Sequence, residues 1–228
     1  MHAIIKPVIA VLLMAGPVMA QEVPRQITVT GEGSVNAAPD TAFVTLGVSH
    51  VAPTAAEAVA AMSTDMAAVF ERLTAAGITG PDVQTGQLQL YPTYGDSSYE
   101  TSPPVTGYVA ATDLTVRIRE LDAVGGVLDA VVQGGANTFG GIRFDLADPD
   151  VALADARRDA VADGRAKAEL YAAAAGVTLG ELVTLNEVNH YFAPVMAEAR
   201  LAAAVPVPIA AGEVNYSVSV TMVYAIAE

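Results

Sequence analysis

Few side chains in this sequence of 228 residues have the chemistry of a reactive site. Cysteine is absent, and histidine occurs only as His2, His50 and His190. Covalent catalysis needs a nucleophile, a base and a group that orients the base, and metal capture needs several ligands with a supporting shell. His50 has neither kind of company in its sequence neighbourhood. It shares the parity of Ala42, Val44, Leu46 and Val48, which places it at the rim of a core in a structural role. Asp145, Asp148 and Asp150 are hard oxygen donors of the type calcium prefers, but their spacing makes no EF-hand loop. Asp148 before Pro149 has instead the pattern of a helix N-cap with proline in the first turn, and Asp150 complements the helix dipole there. No HExxH, P-loop, GxSxG or dinucleotide fingerprint occurs. Thr30 to Val35, TGEGSV, has two glycines, lacks a third and opens no helix; it reads as a strand that bends or is closely approached by another backbone. No catalytic, cofactor-binding or metal-binding residue is expected, and no cofactor is implied.

Binding chemistry is better represented. Tyr91, Tyr94, Tyr99 and Tyr108 flank a turn-rich loop from Gly95 to Pro104, and rings at such half-wet positions can stack on a small sugar or peptide. A second group lies in the segment Phe192 to Pro208, where Pro194, Pro206 and Pro208 flank the apolar run MAEARLAAAV. Proline at its edges suits a projecting arm, with Phe192, Val195, Met196, Leu201 and Val205 as candidate contacts in a homo-oligomer.

Composition narrows the partners. Eleven basic against twenty-five acidic residues give a formal net charge of −14, a surface that repels phosphate backbones, so no nucleic-acid partner is expected. The N-terminus has the three parts of an export leader: basic Lys6, apolar Val8 to Ala15, and small residues up to Ala20, after which cleavage is expected. Lys6, Pro7, Gly16 and Pro17 leave it short of the about 20 apolar residues of a spanning helix. No later stretch would span a bilayer as a helix. A periplasmic protein stabilised by packing without disulfides is the resulting expectation.

Elements that would position these groups follow from periodicity. Ile27 to Val35 and Ala42 to Ser49 alternate as strands, separated by the turn-like Ala38-Pro39-Asp40, and read as a hairpin or close neighbours. Thr54 with Glu57 opens a helix whose stripe is Val59, Met62, Met66, Val69 or Phe70, and Leu73, ending near Gly77. Strands follow around Leu88 and Leu90 and from Tyr108 to Arg119, then a helix from Leu121 to Gln133 with Leu121, Val124, Leu128 and Val131 on its apolar side, then a strand through Ile142 and Phe144. Residues 41–147 thus form a split βαββαβ core, an antiparallel-rich sheet with helices on one face. Beyond it a long helix runs to about Ala175 on a thin stripe of Leu153, Ala156, Ala160 and Gly164, with Arg157 beside the stripe in reach of a buried carboxylate. Two further strands close the chain, from Leu182 to Val188 and from Asn215 to Ile226. The second alternates most cleanly of all and belongs at the centre of a sheet. The class is α+β, and about seven strands interrupted by three helices, against the eight or more strands of a barrel without long soluble helices, exclude an outer-membrane barrel.

The blocks QITVTGEGSVNAAPDTAFVTLGV, GGANTFGGIRFDLAD, ARRDAVADGRAKAELYAAAAGVTLGEL and PVPIAAGEVNYSVSVTMVYAI occur in order from Gln26 to the C-terminus. Together they resemble the SIMPL domain family, a bacterial domain of unknown function with YggE-like members. The resemblance implies one exported α+β domain over residues 21–228 after a 1–20 leader, associated with the cell envelope. Some members form homo-oligomers and some are linked to oxidative-stress tolerance. The stretch from Tyr191 to Val205 fits the family pattern least. A self-assembling structural or interaction protein is the leading reading, a periplasmic binding module the second, and an enzyme is not expected. Without cysteine, any stress role is indirect.

Overall fold

Period-two alternation sends Ala42, Val44 and Leu46 to one side of strand β2 (Thr41–Ala52), directly opposite Ile118, Val116 and Leu114 of β4 (Val105–Ile118), and all six are buried. In the computed structural model, which describes residues 25–95, 103–188 and 209–227, β3 (Val83–Tyr94) and β5 (Thr138–Asp145) complete an antiparallel sheet of order β3-β4-β2-β5. Helices α1 (Ala55–Ala75) and α2 (Val124–Gln133) cover one of its faces, which is the split βαββαβ arrangement. The capping box that opens α1 forms as the sequence implies: Thr54 Oγ1 accepts from the Glu57 N–H and the Glu57 carboxylate accepts from the Thr54 N–H. Its buried stripe is Ala58, Met62, Met66, Val69 and Leu73, so Val59 and Phe70 fall to the flanks. The second helix starts with a single 3-10 turn over Leu121–Ala123, and its buried residues are Val124, Val127 and Val131. Each fully buried Leu or Val of this core contributes about 1.5–3 kcal/mol relative to exposure.

A second antiparallel sheet, β1 (Gln26–Ala37), β7 (Val214–Ala227) and β6 (Thr178–Val188), has β7 at its centre, as its long alternation requires. Here the expected hairpin of the first two strands is corrected. β1 pairs along its whole length with β7, from Gln26 beside Ala225 to Ala37 beside Val214, and Ala38 to Asp40 carry the chain from one sheet to the other. The reason lies in side-chain size. On its inner face β1 offers Gly31 and Gly33, which fit only a helix of small residues, and α3 (Asp150–Ala175) supplies one. Ala152, Ala156, Ala160, Gly164, Ala168 and Ala172, every fourth residue, are its buried line. Such a row is inclined by about 26° to the helix axis, so the contact line crosses α3 obliquely. A Cβ on Gly31 would stand 2.0 Å from the Ala160 carbonyl oxygen, and one on Gly33 would stand 2.1 Å from that of Ala156. The close backbone approach expected of TGEGSV is therefore made by a helix.

Two boundaries also move. Pro149 takes the N-cap position of α3 and the helix begins at Asp150, although Asp148 still accepts from the Asp150 N–H at 3.0 Å. Strand β6 begins at Thr178, before Leu182. At the other end of α3, Gly176 adopts φ 69°, the left-handed conformation that ends a helix cleanly.

The two sheets are tied at one joint. Tyr216 of β7, buried with Ala152 and Val214, donates its hydroxyl proton to Asp145 at the end of β5 and accepts the Leu146 N–H at 3.2 Å. Burial first, and then the bond to Asp145, push this phenol above its ordinary pKa. Asp40 closes the joint from the other connection, donating its N–H to the Asp145 carbonyl at 3.1 Å and accepting the Ala147 N–H at 2.6 Å. The expected leader with its cleavage point after Ala20, Tyr99, and the 192–208 arm lie outside the described residues. Among those described, no helix is long and apolar enough to cross a membrane.

Candidate functional site

His50, at the end of β2, has the partner that sequence neighbours did not supply. Its Nε2 lies 2.6 Å from Oδ2 of Asp65 on α1, with both side chains about one-third exposed. Gly135 makes room for the pair, since a Cβ there would meet Asp65 Cβ at 2.9 Å. Asn137 fixes the adjoining backbone, accepting from the Ser49 N–H at 2.8 Å and donating to its carbonyl at 2.9 Å. The one signal for Asp65 was its place between Met62 and Met66, beside the helix's core stripe. The bond ties α1 to β2 across the edge of the core. Among the described residues no group of three or more His, Cys, Asp or Glu converges as a metal site would. The acids considered for calcium are engaged separately: Asp145 with Tyr216, Arg143 and the Leu146 N–H, and Asp148 with the start of α3.

The tyrosines do not form one platform. Tyr91 stands beside Val109 and Tyr108 beside Pro92, adjacent positions of the same strand pair, so their rings leave opposite faces of the sheet. Tyr108 packs against the α1–α2 core, while Tyr91 and Tyr94 are exposed.

The outer strands differ sharply in how they are finished. The edge of β1 is covered by side chains of α3: Asp163 Oδ2 accepts the Glu32 N–H at 2.8 Å, and Lys167 Nζ donates to the Thr30 carbonyl at 3.0 Å. Lys167 and Asp163 pair at 2.7 Å. The lysine bond, and then the Glu32 N–H, hold the Asp163 carboxyl below the ordinary carboxylate range; the Asp163 bond raises Lys167. By contrast β3 exposes Leu88 (65%) and Leu90 (50%), and β6 exposes Val183 (57%) and Leu182 (43%). Those leucines of β3 stand beside Thr112 and Ala110, on the side of the sheet that α1 and α2 cover farther in. Sequence alternation was right about the strand and silent about whether a helix lies over it. Arg157, expected near a buried carboxylate, forks instead onto the partly exposed Glu187 of β6, at 2.9 and 3.2 Å.

A pair of arginines meets a single acid where β4 ends. Arg117 Nε and Arg119 Nη2 reach Asp82 Oδ1 at 2.5 and 2.9 Å, and Arg119 Nε reaches Oδ2 at 3.1 Å. Hydrogen bonding from Arg119, aided by Arg117, outweighs desolvation and holds the Asp82 carboxyl below its ordinary value.

The chain matches the model of SIMPL, a protein family of unknown function (DUF541), over residues 27–224. The chain belongs to the SIMPL family. Among relatives, it is 41% identical over 226 residues to the 26 kDa periplasmic immunogenic protein of Brucella melitensis, covering 92% of this chain and 90% of that one. It is 31% identical over 195 residues to the uncharacterised protein YggE of Edwardsiella ictaluri, covering 85% and 81%. Identity to YggE of Escherichia coli is 28% over 145 residues. For this SIMPL chain the match takes in both sheets and all three helices, β1 and β7 included.

Proposed function

We propose that this SIMPL-family chain is a periplasmic protein of the bacterial cell envelope, exported by the leader over residues 1–20, that acts without catalysis as a self-assembling structural or interaction protein. The observation that carries the reading is the apolar exposure along the outer strands β3 and β6, since long hydrophobic edge strands are surfaces on which a further strand or chain pairs. The protected edge of β1 supports it by contrast, because the same chain covers an edge where none is needed. Segment 192–208 follows β6 in sequence, and Phe192, Val195, Met196, Leu201 and Val205 are the contacts we assign to it. The name of the Brucella relative agrees with the location. Any part in oxidative-stress tolerance is indirect, because no thiol is present for reversible redox chemistry.

Light scattering on the mature protein, with and without residues 194–204, tests this. A discrete assembly that falls to smaller species on deletion, while circular dichroism keeps the α+β signal, is the expected result. A monomer of roughly 20 kDa, the size left after loss of the leader, would overturn it.

A further inference from the structure

At the end of the four-stranded sheet, where α1 stops and the turn into α2 starts, a recess of about 230 Å3 opens beside the arginine pair. One wall is apolar and firmly packed: Ile78 and Val127 are buried, and Ala123 lies between the turn and the helix. The other wall is Arg117, Arg119 and Asp82, with Glu120 at the rim. Two guanidiniums repel each other unless an anion lies between them, and Asp82 fills that place by accepting from both. Each guanidinium has five N–H donors. Arg119 commits Nε and Nη2 to Asp82, as does Arg117, so donors on both remain for a second acceptor. Asp82 thus holds like charges side by side with one positive charge in excess of its own.

We propose that this recess binds a small aliphatic monocarboxylate, its carboxylate on the remaining N–H groups of Arg117 and Arg119 and its short chain against Ile78 and Val127. Planar guanidinium forks match a carboxylate in geometry. The arginines exceed Asp82 by one positive charge, which Glu120 offsets, so a monoanion adds a single negative charge to the recess where a phosphate dianion would add two beside both Asp82 and Glu120. The volume lies below the several hundred Å3 of sites for larger ligands, so the recess can bury only a few carbons of the chain. None of the residues of the recess lies on β6 or in the 192–208 segment, and Asp82 only adjoins the start of β3, so loss of assembly and loss of carboxylate binding are read by separate measurements.

Titration of the mature protein with butyrate, acetate, phosphate and chloride at constant ionic strength, followed by NMR of the arginine Nε–H groups, tests the proposal. Butyrate should give saturable shifts and bind about tenfold tighter than acetate, at about 0.8 kcal/mol per buried methylene. Arg119→Gln should weaken butyrate by about tenfold or more, the worth of a charge-assisted hydrogen bond. Glu120→Gln, which removes the like charge and keeps both arginines, should tighten it. Phosphate binding as tightly as butyrate, shifts reproduced by chloride, or an Arg119→Gln variant with its amide spectrum intact and its butyrate affinity unchanged would each overturn the proposal.

Discussion

The two helix–sheet layers solve one burial problem with side chains of opposite size. Above the four-stranded sheet, α1 and α2 are held off by leucine, methionine and valine; Leu46, Leu73 and Leu114 are fully buried, and the backbones stand a side chain apart. Above the three-stranded sheet, α3 descends until its own backbone meets that of β1 at Gly31 and Gly33, with alanine and glycine along its buried line and the larger Val218, Val220 and Met222 of β7 beside it. Area removed from water stabilises the first layer, and close packing of main chain supplies much of the second. A layer of large side chains tolerates a small change of volume by partial collapse. Where backbone meets backbone, at Gly31 and Gly33, little can yield.

The largest effect should therefore come from the smallest residue. Gly31→Val places carbon where the Ala160 carbonyl stands at 2.0 Å, so α3 must lift along its length. Overpacking costs reach about 3 kcal/mol and more when backbone has to move, and loss of the α3 layer in urea unfolding is the expected outcome. Leu46→Ala in the other layer should cost about 2–5 kcal/mol but leave a folded protein with a cavity. A Gly31→Val protein that keeps α3 docked and unfolds in urea with the parent's midpoint would break the comparison.

Gly164 sharpens it. An added Cβ there meets Met222 Sδ at 2.6 Å and the Gly31 Cα at 3.3 Å, so most of the strain falls on a thioether with three rotatable bonds. Gly164→Ala also gains about 1 kcal/mol of helix propensity. The two terms nearly cancel, and the variant should unfold within about 1 kcal/mol of the parent by the same measurement. The contrast between Gly31 and Gly164, which face each other where α3 meets β1, would show that it is an immovable carbonyl, and not the small-residue stripe as such, that makes this layer brittle.

These layers were unequally legible in the sequence. Ala42 to Val48 and Tyr216 to Ile226 announced their strands, and Thr54 with Glu57 announced a helix start, because each signal is local. TGEGSV announced a close approach without naming what approaches, since the matching alanine row lies more than 120 residues downstream. The pairing of β1 with β7 was missed for the same reason: nearness in sequence favoured β2, and only the fit of glycine to alanine decides otherwise. Asp65 beside His50, and Asp82 beside two arginines 35 and 37 positions away, are meetings made by topology. Leu88 and Leu90 show the opposite failure: a correct period carries no information on where the covering helices end.

Acid should separate the layers by the smallest margin. The α3 layer adds to its backbone contacts a polar clasp, Asp163 on the Glu32 N–H and on Lys167, that closes the edge of β1. Because the folded-state pKa of Asp163 lies below its unfolded value, the clasp contributes fully above the ordinary carboxylate range and is lost as pH falls through the lowered folded value. Lys167 is raised, so its share is present at neutral pH and fades only on the alkaline side, above the ordinary lysine range. Asp163→Asn keeps the shape and removes the charge. Amide exchange at Glu32 should be faster in the variant than in the parent near neutrality, and the two should converge once pH drops below the carboxylate range, while amides of β2 and β4 show no difference at either pH. Equal exchange at Glu32 across the whole range would mean that Ala156, Ala160 and Gly164 hold α3 on β1 without help from the clasp, and that packing alone closes this edge.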